Sequence, residues 1–458
     1  MSEAVNDIHS QLNETTVREV VPVDSREAVR AAVLRARELG VPVCVAGGRH
    51  AMGGQQFCSG GLLLDTRRLG RVLGLDAGAG IVEVEAGIQW PALLEYLRST
   101  TWAFRQKQTG ADRLSLGGAL SANGHGRGLA MKPIVSDVES FELVGPDGEV
   151  HTCSRGENGD LFALVAGGYG LFGTIYSLRL RLTRRRKLER VVEVRELEGL
   201  MDAFERRIAD GFLYGDFQFA IDPAGEAFLR RGVFSCYRPV ADDDPIPPDQ
   251  RALTRDDWSR LLYLTHTNKA EAFERYAAHY LATSGQLYWS DAHQSAEYID
   301  DYHRALDQAL GRGRATEMIS ELYVPRGRLT DFMEAVADDF RRTGVDVIYG
   351  TVRLIERDDE SFLAWAREPW ACVIFNLHTE HTPEGIERSA DAFRRLIDLA
   401  VERGGSYFLT YHRWARRDQV EAAYPRFREF LERKREHDPE LVFQSDWYRH
   451  HAGLFSGG

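Results

Sequence analysis

The stretch AGGRHAMGG, residues 46–54, directly follows the apolar run 41–45 and contains four glycines and one histidine, His50. Glycines let successive backbone N–H groups turn toward an anion, as a diphosphate-binding loop requires. A histidine inside such a loop is unusual, and it favours a flavin nucleotide held by its pyrophosphate with His50 close enough to the isoalloxazine ring to be bonded to it. The alternative interpretation is a glycine-rich turn with a hydrogen-bonded surface histidine.

A second glycine-rich passage, TGADRLSLGGALSANGHGRG, covers residues 109–128. Its small residues allow the backbone to approach a planar ligand closely. Ser121, Asn123 and His125 offer polar contacts to such a ligand.

The third cluster, GGYGLFG at 167–173, contains a GxGxxG motif. In a nicotinamide-binding Rossmann fold this motif follows a strand and opens a helix. Here the preceding residues 160–165 are predicted as helix and residues 174–182 as an alternating strand. The context is inverted, so we interpret the cluster as a tight helix-to-strand turn beside a flavin nucleotide.

The three clusters in this order resemble the FAD-binding domain of the vanillyl-alcohol oxidase and p-cresol methylhydroxylase (PCMH) flavoproteins. The resemblance covers about residues 16–182 and rests on GGRH followed by Gly53 and Gly54, SGGLLLDTRRL, SLGGALSANGHGRG, SFELVGPDGEV and ENGDLFALVAGGYGLFGTIYSLRL. Residues 424–443 look like the closing helix and loop of the sugar-lactone and alditol oxidase branch. The decaprenylphosphoryl ribose oxidases are a similar branch.

This resemblance implies FAD as the cofactor. In the family, the histidine at the position of His50 often carries the flavin through its 8α-methyl group, although members similar to the decaprenylphosphoryl ribose oxidases lack the link. The matching cofactor-binding positions are Gly47, Gly48, Arg49, His50, Ala51, Met52, Gly53, Thr109, Gly117, Gly118, Ser121, Asn123, Gly124, His125, Gly126, Gly168, Gly173 and Ile175.

The expected fold class is α+β with two domains. The resemblance implies an FAD-binding domain of two small α/β subdomains in 1–187, a substrate domain in 188–415, and a segment in 416–458 that returns to the FAD-binding domain. A largely antiparallel sheet flanked by helices is expected in the substrate domain. Alternation predicts its strands at 215–221, 286–290, 318–324, 347–355, 371–378 and 406–413, and apolar spacing predicts helices at 329–342 and 386–403.

Oxidation over a flavin needs a C–H bond aimed at the cofactor and an acceptor for the hydroxyl proton. Period-two alternation places polar residues on common strand faces. The candidate catalytic residues are Glu321, His412, Tyr323, His378, Asn376 and Arg416. We expect His412 to accept the proton and Glu321 to anchor the hydroxyl. For each candidate the alternative is a structural residue whose hydrogen bonds are satisfied within the sheet.

Two departures from the alditol oxidase branch concern these candidates. That branch has a glutamate and, two residues later, an arginine on one strand, whereas here Tyr323 follows Glu321. It also has an HWxK-type run where this chain has Arg413, Trp414, Ala415 and Arg416. Both departures count against alditols as the substrate, whereas a sugar or sugar derivative suits the many hydrogen-bonding side chains.

The run HTEH at 378–381 lacks the i, i+4 spacing of a zinc-binding HExxH helix. We interpret it as polar pocket or surface and predict no metal. Neither a GxSxG elbow nor a GxxxxGK[ST] phosphate loop occurs in the sequence, which argues against hydrolase and P-loop chemistry.

Composition bounds the partners and the location. The 458 residues include 57 basic and 69 acidic side chains, giving a formal net charge of −12, which argues against nucleic acid or an anionic membrane as a partner. The N-terminus lacks the features of a signal peptide, and no apolar stretch has transmembrane length. A cytoplasmic protein with five reduced cysteines is expected.

The sequence therefore predicts an FAD-dependent oxidase or dehydrogenase that removes hydride from a CH–OH carbon of a sugar, polyol or related small alcohol. Oxygen or another acceptor would reoxidise the flavin. Oxidation of a phenolic or amine secondary metabolite is one alternative. A subunit that only relays electrons through a flavin within a complex is another. The oligomeric state is not indicated.

Overall fold

The computed structural model describes residues 2–296, 299 and 302–456. Its strands form four sheets, which follow one another along the chain. An antiparallel pair and a three-stranded parallel sheet contain β1 Glu3–Val5, β2 Thr15–Val17, β3 Glu19–Pro22, β4 Val43–Ala46 and β5 Leu62–Asp65. A six-stranded antiparallel sheet contains β6 Val72–Asp76, β7 Ile81–Glu85, β8 Trp102–Phe104, β9 Val138–Val144, β10 Val150–Ser154 and β11 Thr174–Arg184. An eight-stranded antiparallel sheet contains β12 Lys187–Glu196, β13 Tyr214–Phe219, β14 Arg231–Pro239, β15 Leu287–Trp289, β16 Ala315–Pro325, β17 Val347–Ile355, β18 Trp370–Glu380 and β19 Ser406–Tyr407.

Helices connect and cover these sheets. They are α1 Arg26–Leu39, α2 Trp90–Leu97, α3 Leu116–Ala122, α4 Gly159–Val165, α5 Leu200–Ala209, α6 Arg255–Thr267, α7 Lys269–Ala282, α8 Tyr302–Leu310, α9 Leu329–Thr343, α10 Pro383–Val401, α11 Arg417–Ala423, α12 Phe427–His437 and α13 Asp446–Phe455. Short 3-10 helices lie at Thr66–Arg68, Ile134–Asp137, Ala292–Gln294 and Arg326–Arg328. In the described part of the chain, no helix is both long and apolar enough to span a bilayer.

The parallel sheet, in the order β3-β5-β4, ends at the first glycine loop. Helix α1 precedes β4, and its start and stop are set by the sequence. The Ser25 hydroxyl accepts from Ala28 N at 3.2 Å as the N-cap, and Gly40 ends the helix at φ 61°, a conformation that glycine adopts without strain. The chain then runs through β4 into residues 47–54, which fixes where that loop emerges.

The eight-stranded sheet has the strand order β15-β12-β14-β13-β17-β18-β16-β19. Helices α9 and α10 pack on its long strands β16 and β18, and apolar residues of both helices are buried there. Helices α6 and α7 pack near β12, β14 and β17. The segment after β19 contacts β4, where Val43 N donates to the Val442 carbonyl at 2.6 Å.

The predicted α+β class is confirmed, and the eight-stranded sheet is antiparallel as expected. The inverted context of the GxGxxG motif is also confirmed, because α4 precedes it and β11 follows it. The predicted strand 406–413 is wrong beyond Tyr407. Two groups of the first glycine loop bind the Thr410 carbonyl, Gly53 N at 3.1 Å and Gln55 Nε2 at 2.8 Å, so this segment pairs with the loop instead of extending β19.

Candidate functional site

A cavity of about 750 Å³ lies between the glycine-rich loops and the eight-stranded sheet. We call the cavity-lining residues of 47–51, 108–125 and 169–175 the glycine wall. We call the cavity-lining residues of strands β12 to β18 the sheet wall. All residues of the glycine wall precede those of the sheet wall in the chain, and both walls line the same cavity.

Close packing in the glycine wall explains why glycines are needed there. A Cβ atom on Gly47 would lie 2.1 Å from Ser115 Oγ, and a Cβ on Gly48 would lie 2.3 Å from the Arg113 carbonyl oxygen. Ser115 is also the N-cap of α3, accepting from Gly118 N at 3.3 Å. The first loop and the start of α3 therefore approach each other backbone to backbone, and little side-chain bulk separates them from the cavity.

Most of the cofactor-binding positions expected from the sequence line this cavity. They are Gly47, Gly48, Arg49, His50, Ala51, Thr109, Gly117, Gly118, Ser121, Gly124, His125, Gly173 and Ile175.

Five expected positions lie behind the lining instead, namely Met52, Gly53, Asn123, Gly126 and Gly168. Asn123 shows what such a residue does. It takes a left-handed conformation at φ 49° at the end of α3, its Nδ2 donates to Asp358 Oδ2 at 2.8 Å, and its Oδ1 accepts from Val135 N at 3.1 Å. These contacts hold the second glycine passage in place without touching a ligand.

His50 is positioned by a second histidine. Its Nδ1 lies 2.8 Å from His9 Nε2, whereas its buried Nε2 has no hydrogen-bond partner among the residues that the structure describes. Burial, reinforced by His9, lowers the pKa of His50 to about 3. His50 is therefore a neutral imidazole whose Nδ1 faces His9 and whose Nε2 is buried without a hydrogen-bond partner in the described part of the chain.

Further polar atoms of the glycine wall also lack partners. Buried side-chain atoms of Arg49, Gln108 and Thr109 make no hydrogen bond within the described part of the chain. Because buried polar groups in native proteins are paired in the great majority of cases, these atoms indicate a polar ligand. A flavin dinucleotide fits, since its diphosphate and riboses need such partners and its flat ring suits the thin glycine backbone.

Glu321 is the central polar group of the sheet wall. His125 Nε2 lies 2.5 Å from its Oε1, Tyr323 Oη donates to Oε1 at 2.6 Å, and Tyr411 Oη donates to Oε2 at 3.2 Å. Burial alone would raise the pKa of Glu321, but the charge and hydrogen bond of His125 and the bond from Tyr323 lower it to about 2. An ionised carboxylate thus faces the cavity, and His125 joins the two walls.

The strand register shows which other candidates share this face. Ile319 is the cross-strand partner of Asn376, and Glu321 is the partner of Ile374. Asn376 lines the cavity, and its Oδ1 lacks a partner among the described residues. Tyr323 does not line the cavity, since it lies behind Glu321 and stacks on Trp365 at a ring separation of 4.6 Å.

The structure does not bring the three remaining candidates to the cavity lining. His378 stands beside His266, with ring centroids 5.2 Å apart. His412 is buried against the rings of Phe393 and Trp414, with ring centroids 4.5 and 5.3 Å away, and burial lowers its pKa to about 3.

Arg416 is partly exposed and pairs with Asp398 at 2.8 Å and Asp418 at 3.2 Å. The proton-accepting role expected for His412 and any direct role for Arg416 therefore have no geometric support.

Sequence reasoning missed His9 and three cavity-lining arginines, Arg127, Arg190 and Arg353. His9 belongs to no motif and reaches His50 only through the fold. Arg127 lies within the second glycine-rich passage, whereas Arg190 and Arg353 each look like an ordinary strand residue in their own stretch of sequence. The alternation of β17 could have placed Arg353 on one face of the strand, but it could not have shown which face lines the cavity.

Comparison with known proteins agrees with this geometry. Residues 17–154 match a family model described as an FAD binding domain. The chain is 24% identical to an L-gulono-1,4-lactone dehydrogenase of Mycobacterium tuberculosis, over 95% of this chain and 96% of that protein. It is also 24% identical to the decaprenylphosphoryl-beta-D-ribose oxidase of Mycolicibacterium smegmatis, over 95% and 94% of the two chains. Cytokinin dehydrogenase 4 of Oryza sativa is 33% identical over 36% of this chain and 33% of its own length.

The FAD-binding match covers the first two glycine clusters and the segments between them, while the two full-length relatives extend the similarity across the sheet wall. The cavity geometry and these relatives lead to one conclusion. The chain is an FAD-dependent oxidoreductase whose residues 17–154 match an FAD binding domain, and over nearly its whole length it is similar to a sugar-lactone dehydrogenase and a decaprenylphosphoryl-ribose oxidase.

Proposed function

We propose that this enzyme oxidises a CH–OH group of a sugar, polyol or related small alcohol to the carbonyl, with oxygen or another acceptor taking the electrons from the flavin. The observation that supports this most is the ionised Glu321 carboxylate in the lining of a cavity whose other wall suits FAD. The names of the two full-length relatives, a sugar-lactone dehydrogenase and a ribose oxidase, point to the same substrate class.

The contacts of Glu321 leave it one position for a substrate. Oε1 already faces His125 and Tyr323, and Cys372 Sγ lies 3.3 Å away. Oε2 receives only the 3.2 Å bond from Tyr411 in the described structure, and a carboxylate oxygen can accept more than one bond. A substrate hydroxyl would donate to Oε2, and Asn376 on the neighbouring strand would bind a second hydroxyl.

Oxidation of the alcohol removes one hydride from carbon and one proton from oxygen. FAD, when bound, supplies the acceptor for the hydride. The hydroxyl proton moves to Glu321 Oε2 as the carbon–oxygen double bond forms. His125 and Tyr323 hold the carboxylate in place, so that the hydroxyl oxygen is fixed while the C–H bond faces the cofactor.

The proposal includes a covalent bond between FAD and His50. In support, Nε2 is the nitrogen without a partner, whereas Nδ1 faces His9 at 2.8 Å. The test is acid precipitation of the purified protein, with the flavin absorbance read in the pellet and the supernatant. A yellow pellet that turns colourless in His50→Ala supports the bond, and protein-linked flavin in that variant would exclude it.

The alcohol oxidation itself is tested by mixing the oxidised protein anaerobically with sugars, polyols and sugar lactones and recording the flavin absorbance. Bleaching by one of these alcohols is the expected result. The tyrosines Tyr276, Tyr280 and Tyr288 in the lining favour a phenolic or amine substrate as the second candidate, so benzylic alcohols, phenols and amines form the second arm. Bleaching by none of them would favour a flavin subunit that only relays electrons.

A further inference from the structure

One end of the cavity is lined by three arginines and by few groups that could neutralise them. Arg353 stands on β17, Arg190 on β12 and Arg127 in the segment between α3 and β9. All three are withdrawn from bulk solvent, Arg353 to 6% exposure and the Arg127 side chain to 12%. Charged side chains in such positions are normally paired.

Arg353 is the group that most needs a partner. Among the residues that the structure describes, no hydrogen bond or ion pair to Arg353 is present, and its buried Nε is unpartnered. Its strand pairs with β18, where Cys372 is its cross-strand partner. Cys372 in turn pairs with Tyr323, two residues from Glu321. The Arg353 guanidinium therefore belongs to the same sheet face as the proposed hydroxyl anchor.

The other two arginines make mostly neutral contacts. Arg190 Nε donates to Tyr237 Oη at 2.8 Å and its Nη1 to Thr283 Oγ1 at 2.9 Å. Arg127 Nη2 donates to the His293 carbonyl, and its buried Nε has no partner within the described residues. Neither arginine is directly hydrogen-bonded to a carboxylate in the described structure, which leaves their charges largely uncompensated.

The carboxylates nearby do not balance these charges. Within the described residues, Asp216 is the one carboxylate within 4.0 Å of any of the three arginines, and it lies 3.8 Å from Arg127 Nη1. Glu321 is already held by His125 at 2.5 Å. Arg353 is close enough to help lower the pKa of Glu321, but that carboxylate is already hydrogen-bonded to His125 and Tyr323. Three guanidinium groups and His125 thus share two carboxylates, Asp216 and Glu321, and this end of the cavity carries surplus positive charge.

We propose that this end of the cavity binds an anionic oxygen group of the substrate, a carboxylate or a phosphate, with Arg353 as its main partner. The proposal rests on the proposed function, because it takes the cavity as the substrate site. It adds that the alcohol substrate also carries a carboxylate or phosphate group. A guanidinium matches either group with two parallel N–H donors. The neighbouring Tyr276, Tyr280 and Tyr349 rings in the lining suit a flat or apolar body between the acid and the reacting carbon.

The test uses the flavin of the oxidised enzyme as a reporter of binding, so it does not depend on turnover. Benzoate, phenyl phosphate and the neutral benzamide are titrated while the visible flavin spectrum is followed. We expect at least one anion to bind about tenfold or more tightly than benzamide, the effect of one charge-assisted hydrogen bond. Preference for benzoate or for phenyl phosphate identifies the anion as carboxylate or phosphate.

The variants assign that preference to Arg353. Arg353→Gln should lose the tenfold preference for the anion while still binding benzamide, and Arg353→Lys should retain part of it. The matched control is Arg326→Gln, which removes an arginine paired with Glu356 at 2.7 Å and outside the cavity lining. It should leave all three affinities unchanged, and the flavin content of each variant verifies that it folds.

Three outcomes would overturn the proposal. Equal affinity for benzoate, phenyl phosphate and benzamide in the wild type is one. An anion preference that survives in Arg353→Gln is another. The third is a shift of the flavin reduction potential in Arg353→Gln without a change in anion affinity, which would make the cofactor the partner of Arg353. If neutral alcohols bleach the flavin but the three probes bind equally well, the anion site is refuted and the oxidase function is kept. If an anion binds preferentially but no alcohol bleaches the flavin, the oxidase function is refuted and the anion site is kept.

Discussion

The glycine wall and the sheet wall face the same cavity but are built in different ways. The glycine wall excludes side chains, because a Cβ on Gly48 would lie 2.3 Å from a backbone carbonyl. The sheet wall includes long charged side chains such as Glu321 and Arg353 and aromatic ones such as Tyr349. A cofactor shared by many enzymes can be bound by backbone geometry, whereas a particular substrate must be recognised by side chains.

The largest effect is expected from adding bulk to the glycine wall. In Gly48→Ala the new Cβ must displace the Arg113 backbone, since a carbonyl cannot rotate away as a flexible side chain can. We expect loss of bound flavin and of about 1–3 kcal/mol of stability. Flavin absorbance per protein and the thermal midpoint measure both. Gly74→Ala is the control, because nothing lies within 4 Å of a Cβ there, and flavin retained equally in both variants would contradict this view of the wall.

A smaller effect is expected from His9, which lies outside the glycine wall but contacts His50. If FAD is bonded to His50 as proposed, removing the 2.8 Å contact of His9 with His50 Nδ1 should slow that attachment on the order of tenfold, the value of one hydrogen bond. The measurement is the time course of acid-stable flavin after FAD is added to apoprotein of His9→Leu. His151→Leu, a partly exposed histidine on β10, is the control. An unchanged time course would show that His9 does not orient His50.

The third prediction concerns stability alone, at a residue that belongs to neither wall. Burial keeps His412 neutral with a pKa of about 3, but the unfolded chain takes up a proton below pH 6.5. Stability is therefore lost as pH falls below 6.5, by about 1.4 kcal/mol per pH unit for such a histidine.

His412→Phe should keep its activity and lose less stability between pH 6.5 and 5 than the wild type. Thermal midpoints at the two pH values measure this. Lost activity with flavin retained would return His412 to the list of catalytic residues.

The two walls also differ in how far the sequence predicts them. The glycine wall depends on local backbone, so the clusters at 47–54 and 109–128 revealed it, and most of the positions expected there line the cavity. The sheet wall depends on which strands become neighbours. Arg353 meets the face of Glu321 through β18, a pairing between distant segments that no local motif encodes.

The same limit explains why the predicted strand 406–413 is wrong beyond Tyr407. Alternation predicted that His412 lies on this strand, but the strand ends at Tyr407. Beyond that point Gln55 Nε2, next to the first glycine loop, donates to the Thr410 carbonyl. A contact between residues so far apart in sequence cannot be deduced from periodicity. Glu321, by contrast, lies on the long regular strand β16, and alternation identified its face.

The most direct test of the account is the rate of anaerobic flavin reduction in Glu321→Gln, measured with the alcohol that bleaches the wild type and at equal flavin content. Glu380→Gln, on the same sheet but exposed and paired with Arg388 at 2.6 Å, is the control. If Glu321 accepts the hydroxyl proton, its variant should bind FAD normally and be reduced about 10²- to 10⁴-fold more slowly, while Glu380→Gln matches the wild type. Reduction of Glu321→Gln at the wild-type rate would contradict the central role of the sheet wall in catalysis.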